Sequence, residues 1–262
     1  MPAVTDDSPF VTLKSTIAAV VAWFQSASVR GVIIGGVANA FLGRSRSTRD
    51  VDGMVVLEND SQISPFLDKA VAFGIVPRVS DVVEFARVSR VLLLRHTPSR
   101  IDVDISCGWL PYESEVLDRS TVDGMLGFDV PLPTPEDLIV MKSIAHRSHD
   151  WRDIEGVIDA HPNLDVEYVL LWARRFAEIM EAPEIVDQLQ NLFRAARSAS
   201  MNKPTLHHSA KKQTVKQKSM PKAVGKKVAQ KKAAHKKITG IPKKVAAKKK
   251  AASPFRKKSH RD

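Results

Sequence analysis

The last 62 residues constrain the fold of this chain most strongly, because they cannot build a hydrophobic core. Residues 201–262 hold 19 Lys and 2 Arg against one acidic residue, Asp262, and so contribute +20 to a chain of net charge +11. Residues 1–200 therefore carry −9. Few apolar side chains separate the lysines, so burial cannot offset the entropy of ordering them. We predict an acidic globular body followed by a disordered Lys-rich tail that binds nucleic acid without sequence specificity.

Cysteine content and hydropathy indicate the compartment. Cys107 is the only cysteine, so no intrachain disulfide can form, which is typical of a reducing compartment. No uninterrupted apolar run reaches the ~18 residues that a membrane span needs. The first residues, Met1 to Pro9, lack the basic region of a secretory signal. We therefore expect a cytoplasmic protein with no membrane partner.

The spacing of apolar residues predicts an α+β fold. The predicted strands are 32–34, 51–57, 82–88, 91–94, 101–105 and 128–131, with 82–88 and 91–94 forming a hairpin. The predicted helices are 12–29, 37–42, 63–73, 112–119, 135–147, 151–160, 165–177 and 183–199. Thr134 followed by Pro135 is a strong helix start, and only helices follow it. We therefore divide the chain into a mixed-sheet domain at 1–133, a helical subdomain at 134–200 and the tail at 201–262.

Two glycines and two pairs of aspartates carry the candidate chemistry. Gly35 and Gly36 follow a predicted strand and begin a helix, where backbone N–H groups can bind phosphate. Asp50 and Asp52 alternate along the next strand and so share one of its faces. Paired carboxylates favour a shared cation, and Mg²⁺ is the natural candidate beside nucleotide phosphates.

A later strand adds a second acidic pair. Asp102 and Asp104 share one face of it, while Ile101, Val103 and Ile105 point the other way. Three carboxylates on adjacent strands suit a two-metal site for in-line phosphoryl transfer.

These motifs together resemble the polymerase-β-type nucleotidyltransferases. The first is Gly-Gly, a short helix and then Arg46-x-Thr48-x-Asp50-x-Asp52. The second runs from Thr134 and contains Lys142, Arg147, Asp150 and Asp153. The subgroup most similar comprises the bacterial minimal and abortive-infection type II toxin-like nucleotidyltransferases. The resemblance covers about residues 30–160 and implies a nucleotidyltransferase mixed sheet with the helical half closing over the nucleotide.

The resemblance also implies residue roles. Asp50, Asp52 and Asp102 match the catalytic acids that hold two Mg²⁺ ions, and Asp102 helps to activate the acceptor hydroxyl; Asp104 leaves the identity of the third carboxylate open. The implied nucleotide-binding residues are Gly35, Gly36, Arg46, Thr48, Lys142 and Arg147. An alternative interpretation places Arg147, Asp150 and Asp153 in a structural ion-pair network.

The expected activity is Mg²⁺-dependent transfer of a nucleoside monophosphate from an NTP to an acceptor hydroxyl or phosphate, with RNA as a candidate acceptor. A cognate antitoxin is implied only by the subgroup. Two departures weaken the match: Gly36 replaces a frequent serine, and His149 stands where a basic residue is usual. Two alternatives therefore stay open, an inactive nucleotidyltransferase-fold protein that binds nucleic acid and a transferase acting on a small molecule such as an antibiotic.

Overall fold

The computed structural model describes residues 9–45 and 47–201. These residues all belong to one compact unit, Met1–Leu206. The predicted tail therefore lies outside the described residues, apart from Met201 at its start.

The described chain contains both strands and helices as far as residue 132 and is helical from residue 135. The strands are β1 (Gly31–Ile33), β2 (Asp50–Val56), β3 (Ile75–Pro77), β4 (Val91–His96), β5 (Ile101–Gly108), β6 (Thr121–Asp123) and β7 (Val130–Leu132). The helices are α1 (Pro9–Ala27), α2 (Gly35–Leu42), α3 (Ile63–Ala70), α4 (Val82–Ser89), α5 (Pro111–Arg119), α6 (Pro135–Ala145), α7 (Ser148–Ala160), α8 (Val166–Met180) and α9 (Glu184–Met201). Two short 3₁₀ turns, Asp60–Gln62 and Val71–Phe73, flank α3.

The main sheet is mixed and has five strands in the order β1-β2-β5-β4-β3. β2 and β5 run parallel, while every other neighbouring pair in this sheet is antiparallel. A separate two-stranded ribbon joins β6 to β7. The predicted α+β class, a mixed sheet followed by helices, is confirmed.

Helix α1 covers one side of the sheet with its aromatic residues. Trp23 is fully buried, stacks on Phe66 of α3 at 4.2 Å between ring centroids, and donates its indole N–H to the Phe66 carbonyl at 2.8 Å. By length and composition α1 could also cross a membrane, with a mean hydropathy of 1.2. Polar residues such as Lys14 and Ser15 interrupt the apolar residues of α1, so the helix has a high mean hydropathy without being an uninterrupted apolar run. In this structure Ile17, Val20 and Phe24 of α1 lie in the core.

The predicted strand at 82–88 is wrong, because this segment is helix α4. Its buried residues, Val82 and Ala86, are four positions apart, which is the spacing of a helical face. The valines raise strand propensity, but packing on one side decides the conformation. The hairpin at this point is instead β4–β5, joined by the turn Thr97–Arg100. The short strands β3 and β6 were not predicted.

The helices after β7 pack on one another and on α2. Thr134 caps α6 as predicted, accepting a hydrogen bond from the Asp137 N–H at 3.2 Å. The fully buried Asp137 carboxylate accepts hydrogen bonds from Arg119 at 3.1 Å and Tyr168 at 2.7 Å, which join α5, α6 and α8. Helices α6 and α7 both contact α2. The helical part therefore lies against the element that begins with Gly35 and Gly36.

Candidate active site

Four carboxylates share one face of the sheet. The parallel register of β2 and β5 pairs Asp50 with Asp102 and Asp52 with Asp104. Side chains at register partners point to the same side, and residues two apart along a strand do so as well. Val51 and Val103, which alternate with the aspartates, are fully buried on the opposite side. We call the surface formed by these four aspartates the acidic face.

Gly35 lets the acidic face approach the start of α2. It has φ +63°, in the left-handed region, and a Cβ added to it would lie 1.9 Å from Oδ2 of Asp52. The Asp52 carboxylate therefore occupies the space that any other residue at position 35 would fill. It also accepts a hydrogen bond from the Gly36 N–H, and the Asp52 carbonyl accepts one from the Ile34 N–H at 2.9 Å. The two glycines and Asp52 thus form one packed unit.

Asp52 is the most perturbed carboxylate of the site. Its pKa is raised from 3.8 to about 6, first because burial disfavours the charged form and then because the charges of Asp50 and Asp104 repel it. The hydrogen bond from Gly36 and the charge of Arg147 act in the opposite direction. Arg147, immediately before α7, therefore lies within electrostatic reach of Asp52.

The loop before β2 orients Asp50. Thr48 donates its hydroxyl proton to Oδ1 of Asp50 at 2.8 Å. Arg46, the other residue of this loop predicted to bind nucleotide, lies outside the described residues. Thr48 thus contacts one of the proposed metal ligands and holds its carboxylate.

Two arginines that the sequence analysis missed bind the acidic face. Arg95 of β4 donates from Nε to Oδ1 of Asp102 at 2.7 Å. Arg78, which follows β3, places Nη2 2.5 Å from Oδ1 of Asp104 and Nη1 3.8 Å from Oδ2 of Asp102. The hydrogen bond from Arg95 and the charge of Arg78 lower the pKa of Asp102. Hairpin register could have revealed Arg95, because it pairs directly with Asp102 across β4–β5.

The register between β2 and β5 shows which aspartate of β5 lies opposite each of the two proposed metal ligands on β2. Asp104 lies opposite Asp52, and its charge contributes to the raised pKa of Asp52. Asp102 lies opposite Asp50, and both arginines contact it. Each aspartate of β5 therefore faces one carboxylate of β2, and Arg78 contacts both of them.

The acidic face fits a divalent cation by its chemistry. No group of three His, Cys, Asp or Glu side chains is clustered tightly enough for metal coordination anywhere in residues 9–45 and 47–201. However, Asp50 and Asp52 supply hard oxygen ligands, and burial, together with the charges of Asp50 and Asp104, raises the pKa of Asp52. Asp104 is held by Arg78, so its oxygens are shared with a guanidinium group in this conformation.

Lys142 lies in the interior, away from solvent. Its ammonium group donates to Asp150 at 3.1 Å and to Asp153 at 2.7 Å, and all three side chains are about 6% exposed. The other oxygen of Asp150 accepts a 3.4 Å hydrogen bond from the Arg147 N–H at the start of α7. The structure thus contains an ion-pair network at this helix junction, and the network includes the lysine that was predicted to reach phosphate.

Comparisons with known proteins complete the description. No protein-family model matches the chain, and no curated protein matches it by sequence. One similar solved structure is the antibiotic-resistance factor ANT(2'')-Ia, with 17% identity and a TM-score of 0.44 over 66% of this chain and 96% of that protein. Another is an antigenic nucleotidyltransferase-like protein from Paracoccidioides brasiliensis, with 19% identity and a TM-score of 0.41 over 68% of this chain and 92% of that protein. These values assign no family to the chain.

Proposed function

We propose that the chain is a Mg²⁺-dependent nucleotidyltransferase that moves a nucleoside monophosphate from an NTP to an acceptor hydroxyl or phosphate. One observation carries the proposal: the carboxylate of Asp52 is packed on Gly35, crowded by Asp50 and Asp104, and has its pKa raised to about 6. Such crowding is unfavourable unless a cation binds, and pKa values shifted in this way are typical of functional sites. The glycine and aspartate motifs described above support the same function.

The proposed reaction is an in-line displacement on the α-phosphorus of the NTP. The acceptor oxygen forms a bond to this phosphorus, and the bond to the oxygen bridging to the β-phosphorus breaks. Pyrophosphate leaves with the electron pair of that bond. The acceptor proton passes to the carboxylate pair of β5, Asp102 and Asp104, and from there to solvent. We assign Asp102 to the acceptor side, because both arginines contact it there.

The remaining residues of the site bind and orient phosphate. The N-terminus of α2 offers backbone N–H groups and the positive end of a helix dipole. Arg147 adds a full positive charge beside Asp52. Lys142 holds Asp150 in place, and Asp150 in turn holds the backbone of Arg147, so we assign Lys142 a positioning role.

Asp50 and Asp52 would hold Mg²⁺ together with a carboxylate of β5, and the bound cations would neutralise charge on the phosphates. Two ions suit a set of this many carboxylates. The Lys-rich tail would bind nucleic acid and so bring an RNA acceptor to the site. We further propose a cytoplasmic location, and an antitoxin is the partner to test for if the protein proves toxic.

The direct test is a transfer assay on purified full-length protein with each labelled NTP, Mg²⁺ and total cellular RNA. We expect label to appear on an acceptor, and Asp50→Asn or Asp52→Asn to lower the rate by about a thousandfold or more, since a metal carboxylate contributes several kcal/mol. Asp118→Asn is the matched control, because Asp118 is exposed and paired with Arg30 outside the acidic face. Full activity of the Asp50→Asn/Asp52→Asn double variant would exclude the proposed mechanism.

A second candidate is an inactive protein of the same fold that binds nucleic acid. The guanidinium groups on Asp102 and Asp104 favour it, because they occupy two of the four carboxylates. This candidate predicts that the wild type labels no acceptor, with or without Mg²⁺, while still binding RNA. The transfer assay therefore separates the two candidates.

A further inference from the structure

We propose that Arg78 and Arg95 form the acceptor site of the transferase, and that they select an acceptor carrying a phosphate group next to the reacting hydroxyl. The inference rests on the proposed function, since it names the acceptor of that reaction. Two guanidinium groups, those of Arg78 and Arg95, pair with the carboxylates of β5.

Charge changes sign across the sheet. In the order β2-β5-β4-β3, carboxylates project from β2 and β5, whereas guanidinium groups come from β4 and from the residue after β3. Asp50 and Asp52 on β2 have no arginine of β3 or β4 bonded to them. The β2 side of the face therefore favours cations, and the β4 side favours anions.

Arg95 has binding capacity to spare. It uses only Nε on Asp102, its side chain is 50% exposed, and nothing in the described part of the chain accepts a hydrogen bond from its two Nη groups. A guanidinium group offers five N–H donors in a planar fork that matches phosphate oxygens. An exposed ion pair contributes little to folding stability, so stability alone gives a weak reason for this pair.

Arg78 extends the same surface. Its two Nη groups reach Asp104 and Asp102, so both arginines meet at the carboxylate assigned to the acceptor side. Neighbouring strands lie about 4.8 Å apart. A hydroxyl at Asp102 and a phosphate at Arg95 of the adjacent strand can therefore belong to the same nucleotide.

The same charges disfavour a cationic acceptor. A polyamine or an aminoglycoside would bring ammonium groups against two guanidinium groups, and like charges at an interface are strongly unfavourable. A neutral nucleoside would leave the Nη groups of Arg95 without an anionic partner. The arginines thus favour a nucleotide or a nucleic-acid end over a small cationic antibiotic.

The test compares acceptors and variants of the full-length protein with one labelled NTP. The acceptors are a nucleoside, its 5′-monophosphate, a trinucleotide ending in that nucleoside, and an aminoglycoside. The variants are Arg95→Gln, which removes the charge, and Arg95→Lys, which keeps the charge but not the fork. Arg30→Gln is the control, because Arg30 makes a 2.7 Å ion pair with Asp118 and its side chain is 67% exposed. Salt of about 200 mM weakens binding by the tail, which all variants share.

We expect Arg95→Gln to raise the KM for phosphate-bearing acceptors about tenfold to a hundredfold, the effect of losing a charge-assisted hydrogen bond. The kcat and the KM for NTP should change far less, Arg95→Lys should recover part of the loss, and Arg30→Gln should behave as wild type. An effect on both the monophosphate and the trinucleotide indicates a phosphate of the terminal nucleotide itself. An effect on the trinucleotide alone would place the phosphate contact one nucleotide farther along the chain, not next to the reacting hydroxyl.

The inference is also overturned by an unchanged acceptor KM in Arg95→Gln, or by a wild type that uses the nucleoside or the aminoglycoside as well as the phosphate-bearing acceptors. If the wild type labels none of them and labels nothing in total cellular RNA, the proposed function fails by itself. Equilibrium binding of the trinucleotide and the nucleoside to wild type and Arg95→Gln then tests the arginine site without chemistry. Equal affinity of both proteins for the trinucleotide would reject the site.

Discussion

Replacing Asp52 with Asn should change how stability depends on pH. The folded-state pKa of Asp52 is about 6, against 3.8 in the unfolded chain, so between these values the folded state binds more protons than the unfolded state. Stability contributed by Asp52 is therefore present below about pH 4 and lost as pH rises through 6. A shift of about two units corresponds to at most about 3 kcal/mol, at about 1.4 kcal/mol per unit. Asn has no acidic proton to lose and gains no charge as the pH rises, so the variant should escape this penalty.

Urea unfolding followed by tryptophan fluorescence measures the effect, in buffer containing a chelator so that no divalent cation masks the repulsion. The unfolding free energy of Asp52→Asn minus that of wild type should rise by up to about 3 kcal/mol from pH 4 to pH 7. Asp102→Asn is the control of opposite sign. The hydrogen bond from Arg95 lowers the pKa of the Asp102 carboxyl in the wild type. The charged Asp102 therefore stabilises the fold above its unfolded-state pKa, and this stabilisation is lost on acidification. A difference for Asp52→Asn that stays constant over this range would show that burial and the neighbouring carboxylates do not raise the pKa of Asp52.

Three further predictions follow from the fold and the charge distribution. Gly35→Ala should lower the unfolding free energy by at least about 1–2 kcal/mol, because the left-handed backbone disfavours alanine and the alanine Cβ would overlap the carboxylate of Asp52. Thermal unfolding measures the loss, and an unchanged Tm would contradict this prediction. Lys142→Met should cost about 3–5 kcal/mol at neutral pH, because it removes the buried ammonium group that donates to both Asp150 and Asp153. Urea unfolding measures this cost, and a loss below about 1 kcal/mol would contradict a stabilising role for the ammonium group. Deleting residues 202–262 should make nucleic-acid affinity less sensitive to salt. In a plot of log affinity against log salt concentration for duplex DNA, each lost phosphate contact should make the slope about 0.9 less negative. Equally steep slopes for the full-length and truncated proteins would place the binding surface in residues 1–201.

Local signals predicted the β1–α2–β2 part of the site. A strand ending in Gly35-Gly36 requires a sharp turn, and the structure gives Gly35 a positive φ beside Asp52. Alternation along β2 and β5 placed each pair of aspartates on one face of its own strand, and the parallel register brings the two pairs to the same side of the sheet. These features depend on residues close in sequence, and spacing alone determines which face they share.

Features that depend on long-range packing escaped prediction. Arg78 reaches the acidic face only because β3 pairs with β4, and β3 has three residues, too few for a recognisable alternation. The segment 82–88 has the composition of a strand, yet one buried side makes it a helix. Lys142 looks like a surface residue in the sequence, and only the packing of α6 on α7 shows that it is buried between two carboxylates.

The single parallel pair in the main sheet sets when the site can assemble during folding. Asp50 and Asp102 are register partners although 52 positions separate them, so the chain must close a long loop before they meet. The connecting segment carries α3, β3, α4 and β4, and hence both arginines. Pairing of distant strands is slow compared with helix or hairpin formation. The β4–β5 hairpin can therefore join Arg95 to Asp102 early, so that part of the charge on β5 is neutralised before β2 brings its own two carboxylates alongside.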